Sequence, residues 1–434
     1  TGYPTVSVES AVPEGNTLVV TVTQSGFENH AVEAERYPWV VPIAWAVVQD
    51  GQDVVSGLFI LDKTSDIIRI DFADRSAPSL DECILSVGRD FSFFGDVNMK
   101  CITPKMRIAQ ALGDTDAVNR YLAYRTIVDD EKAALIEGTT TAPSGSFLAL
   151  FGTVLNDANM APATKALLLM VEESVPSRPD LSHLYQEIAD AKDGLLSAAY
   201  QAHGDTIVHM YDALAAASKD GPQKEGLVFR PLKSLLLGIL CYGGFNKLEA
   251  AKRALSLLQN STFMSDRSSA FVKLLNLSAE DESLVGALNL NEVFQSIKME
   301  WTAHPIGCEA YISAICQTDC CKSPVYIREL VNEPFFQIQL AGHARSVARG
   351  WSKNRKRSLM TDDGLALTIE LFFKIGKINQ MSAYAFLSAF GDFKKFEGDK
   401  KARLVAAMKT MRDGLDEKLQ ESLHKQLGVM LKGC

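Results

Sequence analysis

Leu18 to Gln24 reads L-V-V-T-V-T-Q. Such a density of β-branched residues fits a pleated, half-buried strand far better than a helix. On its N-terminal side, Val6 and Val8 alternate with Ser7 and Glu9, and Pro13-Glu14-Gly15-Asn16 supplies turn chemistry, so the two runs form a first hairpin. On its C-terminal side, Val40 to Val48 is a longer, more buried strand carrying Trp45, and Gln49-Asp50-Gly51 turns it into Val54 to Leu61. Ile67 to Phe72 and Cys83 to Val87 add two more. Five or six short strands with no helical window among them predict a small β-sandwich over residues 1–90.

Around Phe91 the period changes. From Asp96 onward apolar residues recur at three and four, as in Met106, Ile108, Ala109 and Leu112, then Tyr121, Leu122 and Tyr124. Clear helical windows are Thr164 to Glu173, Leu181 to Ala217, Pro231 to Leu240, Lys247 to Leu258, Ser265 to Leu275, Leu290 to Thr302, Cys308 to Cys316, Pro324 to Val331, Leu365 to Phe373, Ser382 to Phe390 and Lys400 to Leu431. Many short helices with apolar faces on both sides must stack on neighbours. The expected fold is multidomain and mainly α: a β-sandwich linker domain (1–90), then a large superhelical solenoid of ARM/HEAT-like character (91–434). The solenoid's concave side would offer a surface to a partner or substrate.

The 434 residues, 47% hydrophobic and 22% charged, can bury large cores. A net charge of -9 argues against general affinity for nucleic acid or anionic membranes, leaving small molecules, peptides or proteins as partners. No apolar run approaches the roughly twenty residues needed to cross a bilayer, and no signal peptide precedes the first strand, which favours a cytosolic or organellar-lumen location, of which cytoplasmic is the expectation. The eight cysteines are too scattered for a disulfide framework, so reduced thiols are expected. The chain starts at Thr1 in strand-like sequence and reads as a piece of something longer.

Catalytic signatures are missing. There is no H-E-x-x-H, G-x-S-x-G, P-loop or G-x-G-x-x-G, so no catalytic residue and no cofactor is assigned within this chain. His304, Cys308, Cys316, Cys320 and Cys321 are the nearest approach to a metal set, because two pairs are four apart. Pro305 and Gly307 interrupt the first pair and no C-x-x-C exists, so buried thiols are expected and no metal ligand is assigned. The cluster from Trp351 to Arg357, W-S-K-N-R-K-R, reads as a solvated interhelical loop rather than a localisation patch or carboxylate clamp. The aromatic pairs Phe93-Phe94, Phe335-Phe336 and Phe372-Phe373 read as core, and Asp129-Asp130 and Asp362-Asp363 as helix-start or loop charges.

Several segments in collinear order resemble the C-terminal half of bacterial-type aminopeptidase N, the alanyl aminopeptidase family of zinc metallopeptidases. They are Gly2-Tyr3-Pro4-Thr5-Val6; Thr21-Val22-Thr23-Gln24; Tyr37 to Ala44, which resembles the family's P-x-x-I-P core strand; Arg75-Ser76-Ala77-Pro78; and Asp90-Phe91-Ser92. Arg230-Pro231-Leu232-Lys233-Ser234, Met264-Ser265-Asp266 and Trp301-x-x-His304-Pro305 continue the series. His343-Ala344-Arg345-Ser346 is similar to the family's N-R-x-R-S, and Ile378-Asn379-Gln380-Met381 to its N-P-x-V-A segment. Leu340-Ala341-Gly342, Leu359-Met360 and Ala385 depart from the family pattern.

The resemblance implies a linker sandwich and a superhelical domain that covers a catalytic domain lying upstream on the same polypeptide. Zinc would sit in that upstream domain, and peptides would be the substrates. It further implies substrate contact by Arg345, as a cavity-lining guanidinium, and by Met381, at the position that shapes the first substrate pocket, both on the concave side. The chain alone would then be inactive. The alternative is a stand-alone helical-repeat scaffold that binds protein partners without peptidase activity.

Overall fold

The computed structural model describes residues 2–29, 37–73, 75–220 and 223–432. Its strands are β1 (Thr5–Glu14), β2 (Thr17–Ser25), β3 (Val41–Gln49), β4 (Gln52–Leu61), β5 (Ser65–Asp71), β6 (Ile84–Val87) and β7 (Asp96–Met99). The helices follow as α1 (Pro104–Gly113), α2 (Ala117–Ile136), α3 (Gly145–Asn156), α4 (Pro162–Leu169), α5 (Tyr185–Asp220), α6 (Gln223–Tyr242), α7 (Lys247–Asn260), α8 (Met264–Glu280) and α9 (Ser283–Ala287). The series continues with α10 (Leu290–Thr302), α11 (Pro305–Cys316), α12 (Ser323–Leu330), α13 (Ala341–Lys353), α14 (Arg355–Ser358), α15 (Asp362–Gly376), α16 (Gln380–Ala389), α17 (Gly398–Asp413) and α18 (Glu421–Met430). A small two-sheet β region followed by a large helical domain is the predicted fold class. None of the described helices is long and apolar enough to cross a membrane.

Two compact units emerge: Thr1–Glu131 with Ser144–Met160 and Leu167–Leu169, and Lys132–Pro143 with Ala161–Ala166 and Met170–Cys434. In the first, one sheet runs β5-β2-β1-β7 and the other β4-β3-β6, all antiparallel except β1 with β7. The alternation seen in the sequence points Val6, Val8, Leu18, Val20 and Val22 of one sheet, and Val41, Ile43, Val47, Leu85 and Val87 of the other, into one core. Gln24 is buried in it, and its side-chain amide exchanges hydrogen bonds with the Trp39 backbone, accepting from N at 3.0 Å and donating to O at 2.9 Å. The sequence placed Asp96 in a helical stretch; it opens β7 instead, whose four residues pair with Thr5–Val8 and are too short for alternation to be read.

In the second unit, neighbouring helices pair in chain order, as α5 with α6, α7 with α8 and α10 with α11. The sequence window Leu290 to Thr302 coincides with α10, whereas Lys400 to Leu431 is two helices, α17 and α18, broken at Gly414. Helix α13 falls in none of the predicted windows. It buries His343, Ala344, Val347, Ala348 and Trp351, an i, i+1, i+4, i+5, i+8 stripe carried by small residues that a search for large apolar side chains passes over. Small residues allow close approach: a β-carbon at Gly350 would lie 2.7 Å from Cys316 Cβ on α11. Gly350→Ala should therefore lower stability by about 1–2 kcal/mol, the cost of forcing α11 and α13 apart exceeding the helix-propensity gain of about 1 kcal/mol. Urea unfolding at neutral pH reads the difference, and an unchanged or raised midpoint would contradict this packing.

Candidate functional site

The family resemblance points to two substrate-facing residues, Arg345 and Met381, expected close enough to share one cavity wall. Both line one cavity of about 990 Å³ in the helical unit. Helix α13 contributes Arg345, Arg349, Ser352 and Lys353 to one wall, and α16 contributes Met381, Tyr384, Ala385 and Ser388 to another. The two helices pack directly against each other, and the segment from Glu173 to Ser182 with the start of α5 completes the lining. Met381 is 81% exposed, and Arg345 is exposed as well. Neither is a core residue.

Local sequence sets these orientations. Asn379 caps α16, its side-chain oxygen accepting from Ser382 N at 3.0 Å, and Ala383, Phe386 and Leu387 turn inward, which leaves Met381, Tyr384 and Ser388 toward the cavity. On α13, Trp351 is fully buried and its indole Nε1 donates to Thr368 Oγ1 at 2.9 Å on α15. His343 Nδ1 accepts from Gln337 N at 3.1 Å, and burial lowers its pKa, both of which favour a neutral imidazole. With these contacts fixing the helix's rotation, the opposite face carries Arg345, Arg349 and Lys353 at i, i+4 and i+8.

The basic cluster from Trp351 to Arg357 is not a solvated loop. It spans the end of α13 and the short helix α14, and Lys356 is only 5% exposed. Its ammonium lies 3.0 Å from Glu173 and 2.5 Å from Asp319; Arg357 reaches Asp319 at 3.2 Å, and Lys192 reaches Glu173 at 3.0 Å. Arg355 pairs with Asp392 at 3.2 Å, its guanidinium 5.4 Å from the Tyr185 ring centre. The expectation failed because no local pattern shows that a carboxylate 183 positions away sits opposite Lys356.

Other expectations meet mixed outcomes. Asp362 and Asp363 form the first turn of α15 behind the Thr361 cap, as helix-start charges, but Asp129 is buried within α2. Phe372 is core, whereas Phe94 is 86% exposed. His304 is exposed while Cys308, Cys316 and Cys320 are buried, and burial pushes the Cys316 thiol well up. Among the described residues no three His, Cys, Asp or Glu side chains converge as a metal site; Cys434 lies outside them.

A family model described as a domain of unknown function with ARM repeats, DUF3458_C, matches residues 105–428. The chain belongs to that family. The ARM-repeat description agrees with the paired helices of the second unit. Among solved structures, a Legionella pneumophila aminopeptidase A crystallised with aspartic acid has a similar fold, with a TM-score of 0.78 at 16% identity. The match covers 99% of this chain and 49% of that one, so the chain spans about half the length of the enzyme it resembles. No curated protein matches the sequence.

Asp319 is opposed by burial, yet the Lys356 ammonium and Arg357 guanidinium beside it hold its carboxyl below the usual carboxylate range. A folded pKa below the unfolded one gives stability that is complete above about pH 4 and lost as pH falls through the lower, folded value. Lys356→Met should cost about 1–3 kcal/mol at neutral pH, less than a fully buried pair because Glu173 keeps Lys192 and Asp319 keeps Arg357. The same substitution should flatten the acid side of the stability profile, measured as urea midpoints from neutral pH down to about pH 3. A parallel, unflattened profile would remove Lys356 from this role.

Proposed function

We propose that the chain is the non-catalytic C-terminal portion of a zinc-dependent aminopeptidase, with a cavity lined by α13 and α16 in its helical unit that receives the peptide substrate and shapes its access. The observation that carries this reading is the meeting of Arg345 and Met381 on one cavity, from two separate segments that resemble the substrate-side helices of aminopeptidase N. Family membership and a likeness to half of an aminopeptidase support it. Further support comes from the β unit, where Tyr3 and Phe94 stack edge to face with centroids 5.8 Å apart and both remain at least half exposed, as does Phe91 nearby in sequence. Exposed aromatic clusters of that kind mark contact surfaces, and the partner would be the catalytic domain of the same polypeptide.

The roles follow from chemistry. Met381, unbranched and polarizable, adapts to differing first side chains, while Arg345 holds a peptide carbonyl or carboxylate. Zinc, bound in the catalytic domain, would supply Lewis-acid activation of water there; this chain orients and encloses the peptide. Cytoplasmic peptides are the substrates in this reading.

The full-length gene product should release the N-terminal residue from an alanyl fluorogenic substrate, lose that turnover to a chelator and regain it with zinc, while the 434-residue chain alone shows none. Chelator-sensitive turnover by the chain alone, or a zinc-independent full-length product, would overturn the reading. In the full-length enzyme, Met381→Ala should change preference among first residues, and Arg345→Ala should raise KM for longer peptides more than for single-residue amides. Unchanged kinetics in both variants would remove them from the substrate site.

A further inference from the structure

The cations around the cavity divide into two sets. Arg355, Lys356 and Arg357 are neutralised by Asp392, Glu173 and Asp319, as described above. Arg345, Arg349 and Lys353 have no ion-pair or hydrogen-bond partner among the described residues, and all three line the cavity and are exposed. A chain of net charge -9 thus keeps a row of three uncompensated positive charges inside a cavity of about 990 Å³. Exposed cations on a helix are ordinarily paired at i±3 or i±4 with carboxylates or simply solvated. Here the i+4 neighbour of Arg345 is Arg349 and that of Arg349 is Lys353, an arrangement that disfavours an isolated helix and is relieved by an anion bridging the row.

The spacing of the row identifies the anion. Residues four apart on a helix are separated by about 6 Å along its axis, so Arg345 to Lys353 covers about 12 Å. In an extended peptide, side chains two apart lie on the same side and are separated by about 6.6 Å. The two repeats agree to well within the reach of an arginine or lysine side chain. An extended peptide lying along α13 would therefore present alternate side chains to successive cations, with the intervening ones facing α16, where Met381, Tyr384 and Ser388 offer apolar and hydroxyl contact. The cavity volume is at the upper end of the range for ligand sites, enough for several peptide residues.

We infer that Arg345, Arg349 and Lys353 form a charge ruler that selects extended peptides with acidic residues at alternating positions. The inference rests on reading the cavity as a peptide site and adds the substrate class. A single-stranded nucleic acid also repeats its charge at several ångströms, but the net charge of -9 opposes its approach.

The test is a fluorescence-anisotropy titration of the 434-residue chain with three dye-labelled, C-terminally amidated peptides of equal length: Ala-Asp-Ala-Asp-Ala-Asp-Ala, its isomer Ala-Asp-Asp-Asp-Ala-Ala-Ala, and the alternating sequence with Asn for Asp. The alternating acidic peptide should bind about threefold or more tighter than its clustered isomer, weaken with added salt, and lose most of its affinity as the Asn form. Each of Arg345→Gln, Arg349→Gln and Lys353→Gln should weaken it about two- to fivefold, and Arg412→Gln, on α17 and outside the cavity, should not. Circular dichroism checks that the exposed-site variants stay folded. The inference is overturned if the alternating and clustered peptides bind equally, if the three Gln variants together leave binding unchanged, or if an oligonucleotide of equal charge displaces the peptide at equal concentration. Loss of zinc-dependent turnover in the full-length product would sink the peptidase reading and leave these curves standing; equal binding of the isomers alongside intact turnover would sink only the charge ruler.

Discussion

The buried hydrogen bond from Trp351 Nε1 to Thr368 Oγ1 fixes the seat of α13, and the cavity takes its character from that seat. A fully buried indole contributes a large apolar area, and its N–H, if left unpaired there, would cost about 1–3 kcal/mol. Thr368 Oγ1 in turn lies 2.9 Å from the carbonyls of Ser358 and Gly364, so the bond joins α13 to the α14–α15 connection. Rotating α13 would break this chain and expose Val347 and Ala348. The helix has one favourable azimuth, and it turns the cationic face into the cavity.

Charge in this region obeys two different rules. Where Lys356 is buried, its ammonium could not be ionised without compensation, and Glu173 and Asp319 converge on it. Where Arg345, Arg349 and Lys353 reach the cavity, water solvates them, so they can remain unpaired until a ligand arrives. One stretch of thirteen residues, from 345 to 357, therefore holds both a structural ion network and a row of available cations.

Much of the architecture was legible because it rests on local patterns. The β2 run follows from its β-branched residues, its hairpin turn and the Gln49-Asp50-Gly51 turn from turn-forming residues, and the α10 window from a period of 3.6. What escaped depends on partners remote in sequence. Strand β7 exists because β1 offers it an edge, and α13 because Gly350 and its alanines fit against α11. Of the site, Arg345 and Met381 are reachable only through resemblance; Arg349 and Lys353 stand four apart, but that spacing marks one face only where α13 is a helix, and its small-residue stripe hides the helix from the sequence. Ser352 and Tyr384 carry no sequence signal at all.

Photo-crosslinking tests most directly the claim that the cavity lined by α13 and α16 receives peptide. A short peptide with a free N-terminus and a benzophenone side chain, irradiated with the protein and mapped by mass spectrometry, should modify Met381 or its neighbours on α16, and an excess of unlabelled peptide should suppress the reaction. Crosslinks confined to the β-sandwich strands or to helices that do not line the cavity, unaffected by that competitor, would contradict the account.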